Sequence, residues 1–263
     1  MISARERMSR LLALAHGPGE VALKVDRIYR GMLAGSGHLK SGNFEAIHTD
    51  DLRRLFDTYD AEFFDGLLGR MLAEDCGGKL GLRLSGRMTS AAGKTIRRQT
   101  RQRVGWRVVT AIEYEIAISS LLLFQTFDVV DRPVAVSGLA CRDRLEALQR
   151  IFEHELLHLA EFLGEGRSSC AAPQFQGLAR TIFGHASVVH NLVTPRELAA
   201  RAHAIRPGDL VAFDLEGVRH VGRVNRITKR ATVLVDDPAG RLFTDGRRYA
   251  TFYVPVARLR KQA

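Results

Sequence analysis

One stretch constrains this chain more than any other. His154-Glu155-Leu156-Leu157-His158 fits the H-E-x-x-H pattern. Residues four apart on a helix stand one above the other, so both imidazoles can grip one metal ion. The glutamate after the first histidine lies about 100° round the helix, within reach of a water on that metal. Asp143 and Glu146 have the spacing of a capping pair, and Gly164 is the expected stop. Phe152, Leu156, Leu159 and Leu163 share one broad apolar face, while His154, His158 and Glu161 cluster on another with Glu155 at its edge. So apolar a helix is expected to be buried, and buried histidines need partners. A metal site is favoured over a pair of satisfied structural histidines.

A chain of 263 residues can form one large or two smaller domains with a real core. No apolar run approaches the roughly 20 residues of a membrane span, and residues 11–15 are too short and poorly flanked for a signal peptide. Cys76, Cys141 and Cys170 are odd in number and widely spaced, so they make neither a disulfide framework nor a CxxC zinc pair. A cytoplasmic protein with no membrane partner is expected. The formal net charge of +10 is clustered, which points to a polyanionic partner, nucleic acid above all.

Residues 1–45 read as a helical and loop extension: one or two helices over 1–30, broken at Gly17-Pro18-Gly19, then a glycine-rich loop over 31–43. A strong helix from Thr49 carries Leu52, Leu55, Phe56, Tyr59, Phe63 and Phe64. Strands are predicted over 79–85, 104–109 and 111–118, with a turn at 91–94. Arg97, Arg98, Arg101 and Arg103 fall in a run without an acid, and Trp106, the sole tryptophan, lies within it. That composition suits single-stranded nucleic acid or an unfolded polypeptide, and equally a solvated loop with the tryptophan in the core. A short helix follows Ser119, then a connection around Pro133, then the metal helix. Pro173 opens a helix that ends at Gly184, and Thr194-Pro195 opens another reaching Ala204. Residues 206–263 alternate as short strands over 210–213, 220–227, 231–235 and 249–254, with turns at 214–217 and 237–240. They read as a small basic five-stranded β-barrel, SH3-like in outline, with Arg226, Lys229 and Arg230 among its basic residues.

With these elements in place, residues 49–184 resemble the SprT-like family of zinc metalloproteins, which includes the Spartan protease that degrades proteins crosslinked to DNA. The matching stretches are the aromatic-rich segment Leu55-Phe56-Asp57-Thr58-Tyr59 through Phe63-Phe64-Asp65-Gly66, the strand Tyr114 to Ser119, and the H-E-x-x-H helix, in the family's order. The resemblance implies an α+β, zincin-type metal domain over residues 46–205, a Zn²⁺ cofactor, a protein substrate and a DNA connection. Many members supply a third histidine in a His-Gly-x-x-Phe segment. With Phe175 matched, Ala171-Ala172 stand where His-Gly would, and Cys170 lies one residue earlier. Cys170 is the first choice for the third ligand, because a thiolate is a competent zinc ligand. His185 is the runner-up. Glu161 lies roughly 10 Å along the helix from His154 and is expected to orient an imidazole instead. The zinc ribbon of some members has no counterpart, since no four-cysteine set exists.

The reading is a zinc metallopeptidase in which His154, His158 and a third residue hold the metal and Glu155 is general base. Tyr114, His185 and His190 are candidates for a second oxyanion donor. The rival is a non-catalytic, zinc-stabilised nucleic-acid-binding protein that works through the basic C-terminal barrel.

Overall fold

The computed structural model describes residues 3–104, 106–129 and 132–262 of the chain. The fold is mixed α+β, in two compact units, Met1–Leu192 and Val193–Ala263. In the first unit, helix α1 (Ala4–Leu12) precedes α2 (Pro18–Gly35), which Pro18 opens as expected. The loop expected from Gly31 starts only after Gly35. Ile28 and Met32 are buried four residues apart, and this apolar stripe carries α2 across Gly31. Helix α3 (Thr49–Phe64) buries the predicted aromatic stripe. A further helix, α4 (Leu67–Cys76), stands where only a loosened end was expected. The Asp60 carboxylate accepts from the backbone N–H groups of Leu68 (2.9 Å) and Gly69 (2.8 Å), satisfying two donors at its start.

Strands β1 (Leu80–Leu84), β2 (Gly93–Val104) and β3 (Arg107–Ile118) form a sheet of order β1-β3-β2, with β1 parallel and β2 antiparallel to the central strand. This corrects the expected strand over 104–109 and the turn at 91–94. Gly93 pairs with Ile118 and Val104 with Arg107, so the chain reverses around position 105, which lies outside the described residues. The arginine-rich run has no apolar alternation to betray a strand. Its pairing with β3 supplies the order. From Arg107 to Glu113, β3 pairs with β2 alone and the two make a two-stranded arm, because β1 reaches only to Tyr114.

Helix α5 (Ser120–Val129) and the hairpin β4 (Val134–Val136) and β5 (Leu139–Cys141) lead to α6 (Arg144–Glu165), which carries the H-E-x-x-H motif. Asp143 Oδ1 accepts from the Glu146 N–H at 2.9 Å. The helix stops at Gly166, in the left-handed region with φ 73°, and not at Gly164. Gly164 is internal and lets α1 close in: a Cβ there would lie 2.8 Å from Met8 Cε. The first 45 residues are part of this unit, not a separate extension, and they clamp α6. Gly42 O accepts from Leu145 N, Val25 O from Gln149 Nε2, and the Arg7 guanidinium donates to Leu163 O. Helix α7 (Pro173–Phe183) follows and ends at Gly184 as predicted.

The second unit begins earlier than position 206, because α8 (Pro195–His203) belongs to it. Strands β6 (Leu210–Leu215), β7 (Val218–Ile227), β8 (Ala231–Leu242), β9 (Arg248–Val254) and β10 (Arg260–Lys261) form one antiparallel sheet of order β10-β6-β7-β8-β9. No pairing joins β10 to β9 among the described residues, so the sheet is open where a closed barrel was expected. The turn expected at 237–240 is instead an irregularity inside β8. Gly240 is needed there: a Cβ would fall 2.4 Å from the Tyr249 backbone carbon. Val211, Phe213, Val224, Val233 and Val254, with Ala199 and Ile205, make this unit's own core.

Candidate metal centre

His154 and His158 stand one turn apart on α6, with His158 Nε2 3.2 Å from His154 Nε2. Two Zn–N bonds of about 2.0–2.1 Å meeting at a tetrahedral angle place their nitrogens about 3.3 Å apart, so the observed spacing fits one shared ion. Cys170 completes the group: one ligand atom from each of the three residues lies within 4.8 Å of the others. Two imidazoles and a thiolate are a donor set suited to zinc. Burial pushes His154 down to about 3, helped by the nearby His158, His185 and His190, and pushes His158 down to about 4. Both rings are therefore neutral near pH 7, which is the form that ligates. The buried Phe175 ring covers them, with centroids 4.9 Å from His154 and 4.5 Å from His158.

Glu155, next to His154 on α6, is buried. Thr95 Oγ1 on β2 lies 2.7 Å from its Oε2, and donates there or to the Glu155 carbonyl at 2.9 Å. Burial lifts the carboxyl to about 7, with the Thr95 hydrogen bond holding it back. Gly93, two residues earlier, brings bare backbone to the same carboxylate: a Cβ there would sit 2.4 Å from Oε1. Thus β2, an edge strand of its sheet, lies directly over the candidate base.

No protein-family model, curated protein or solved structure matches this chain. The chemistry of the centre rests on its own residues.

Of the two candidates for third ligand, only Cys170 joins the metal group. His185 is buried, and its Nε2 lies 2.8 Å from Glu153 Oε2. Glu153 also accepts from Arg150 Nη1 at 3.0 Å and from the Tyr59 hydroxyl at 2.7 Å. This buried cluster engages Nε2 of His185 and leaves its Nδ1 without a partner, and His185 lies outside the three-residue group. Tyr114, a candidate oxyanion donor, gives its hydroxyl to Asp75 at 2.9 Å, and its pKa rises to about 12, first through burial. His190 Nε2 donates to the Ser90 carbonyl at 3.0 Å, with Nδ1 accepting from Leu192 N. Glu161, expected to orient an imidazole, reaches His158 only through Ser168. Ser168 Oγ lies 2.6 Å from His158 Nδ1 and 2.6 Å from Glu161 Oε2.

The four arginines of β2 divide. Thr95 faces α6, and alternation places Arg97, Arg101 and Arg103 on that same face of β2. Arg97 reaches the end of α6, where a Cβ on Gly166 would be 3.9 Å from its Cζ. Arg98 faces the other way and pairs with Glu115 at 3.6 Å. Arg101, Arg103 and Trp106 are exposed, the tryptophan at 97%, which excludes a core role for it. In the second unit, Arg226, Lys229 and Arg230 are exposed around the turn between β7 and β8. Among the described residues no helix is long and apolar enough to cross a membrane.

Sequence reasoning missed Thr95, Gly93 and Ser168. None carries a motif: a hydroxyl or a glycine acquires its role only from what the fold sets beside it.

Proposed function

We propose that the chain is a zinc-dependent metallopeptidase of the SprT-like type, acting on polypeptide associated with or crosslinked to DNA. The first unit is read as its SprT-like catalytic domain and the second as a small, basic, SH3-like module with an open sheet. The observation that carries the reading is the pairing of two neutral imidazoles, 3.2 Å apart, with a buried carboxylate one residue along the same helix. His154, His158 and Cys170 would hold the ion. Bound zinc supplies Lewis acidity, polarising a peptide carbonyl and acidifying a water.

The rest falls to the chain's own groups. Glu155 takes the proton of the attacking water and returns it to the leaving amine. Thr95 can occupy Oε2, which leaves Oε1, beside Gly93, to carry the proton. A carboxyl near 7 is poised for both directions of transfer. The free edge of β2 offers backbone N–H and C=O groups to an extended peptide, which would lie across Glu155 by strand addition. Such a substrate must be locally unfolded. The arm supports the DNA connection, because an exposed tryptophan beside arginines suits stacked bases and their phosphates.

The rival, a structural zinc without catalysis, needs a fourth protein ligand to exclude water. His185 was the residue for that place, and its position outside the group of His154, His158 and Cys170 supports the open site. The test is Glu155→Gln. The variant should bind zinc at the wild-type stoichiometry and lose cleavage of a protein substrate, free or DNA-bound. Cleavage that survives the change removes Glu155 from its role.

A further inference from the structure

We propose that Glu161 and Ser168 set the proton position on His158, and so decide whether that imidazole can ligate at all. This inference rests on reading His154, His158 and Cys170 as a metal centre. Its logic is proton counting. Ser168 Oγ sits 2.6 Å from Glu161 Oε2 and 2.6 Å from His158 Nδ1. The Glu161 carboxylate can only accept, so the single hydroxyl proton of Ser168 goes to it. The serine oxygen must then accept from the histidine, which places a proton on Nδ1. A neutral imidazole carries one N–H, so Nε2 is bare. That nitrogen is the one aimed at His154 Nε2, 3.2 Å away.

The same pair does a second job. Glu161 lies on α6, while Ser168 lies in the loop that carries Cys170 two residues later. The hydrogen bond ties that loop to the helix beside the two histidines. One interaction therefore prepares two of the three ligands, the ring by its tautomer and the thiol by its place.

Gln174 makes the arrangement testable in an unusual way. Its Nε2 donates to Glu161 Oε1 at 3.2 Å and lies 3.4 Å from Glu165 Oε1. In Glu161→Gln the amide oxygen is held at the Oε1 place by that donor, so the new NH₂ group faces Ser168. The chain of donors then reverses. The introduced amide donates to Ser168, Ser168 donates to His158 Nδ1, and the proton moves to Nε2. A near-isosteric change should thus turn the ligating nitrogen into a donor.

The experiment combines long-range ¹H–¹⁵N spectra of the metal-free full chain with competitive zinc titration against a chelator. Wild-type His158 should show the Nδ1–H tautomer, and Glu161→Gln the Nε2–H tautomer. Ser168→Ala and Glu161→Gln should each weaken zinc binding by about 10- to 100-fold, the range for loss of a group that orients a ligand. Ser168→Thr keeps the hydroxyl and should bind zinc within a few-fold of wild type. A merely structural role would not move the tautomer or be rescued by threonine. Wild-type His158 as Nε2–H, or wild-type zinc affinity in both Ser168→Ala and Glu161→Gln, overturns the proposal. Should Ser168→Ala fail to fold, the wild-type and Glu161→Gln spectra still decide. Absence of zinc uptake by the wild type would instead strike the metal-centre reading, and the spectra would judge the tautomer separately.

Discussion

At Gly93 the absence of a side chain makes room for the Glu155 carboxylate. A methyl group there would lie 2.4 Å from Glu155 Oε1, closer than any real contact allows. Gly93→Ala must displace either the edge of β2 or the carboxylate, while leaving His154, His158 and Cys170 untouched. Peptide cleavage should fall at least about tenfold, the cost of misplacing a catalytic group by a fraction of an ångström. Zinc content, measured on the same preparation, should not change. A Gly93→Ala protein that cleaves at the wild-type rate contradicts the placement of Glu155. This residue was invisible beforehand, as were Thr95 and Ser168. His154, Glu155 and His158 were legible because helical spacing alone brings them together. Cys170 was legible through its distance from Phe175, whose ring now covers both imidazoles. His185 sits outside the group for a reason that spacing does not show: its Nε2 lies against the buried Glu153.

Among the elements, the long helices were readable and the arm was not. Helices α3 and α6 announce themselves by apolar residues at three- and four-residue spacing. The β2 arm has charged residues on both faces and gave the alternation nothing to work on. Its exposed tip is the element to test for nucleic acid. Trp106→Ala should cost about 1–3 kcal/mol in single-stranded DNA binding, the value of one stacked base. Arg101→Ala with Arg103→Ala should reduce the slope of log affinity against log salt by about 1.4, from about 0.7 per phosphate contact on a single strand. Filter binding or fluorescence anisotropy across a salt series measures both. Unchanged affinity and slope in these variants would take the arm out of nucleic-acid contact. Zinc binding serves as the control, since none of these exposed tip residues belongs to the metal group.

At the scale of the whole chain, two units have separate cores. The first packs α1, α2, α4, α5 and α7 around α6, and residues from its first 45 hold both ends of that helix. Their role was hidden because clamping through backbone carbonyls leaves no sequence pattern. The second unit adds exposed basic residues to a chain of net charge +10, and the proposed DNA contact would draw on them. Everything functional depends on whether the centre is open. X-ray absorption on the zinc-loaded full-length protein reads this directly, from the number and kind of atoms around the metal. The account predicts one zinc per chain with two imidazole nitrogens, one sulfur and one light oxygen donor from water. A shell of four protein donors with no water, or a zinc without sulfur, would contradict it.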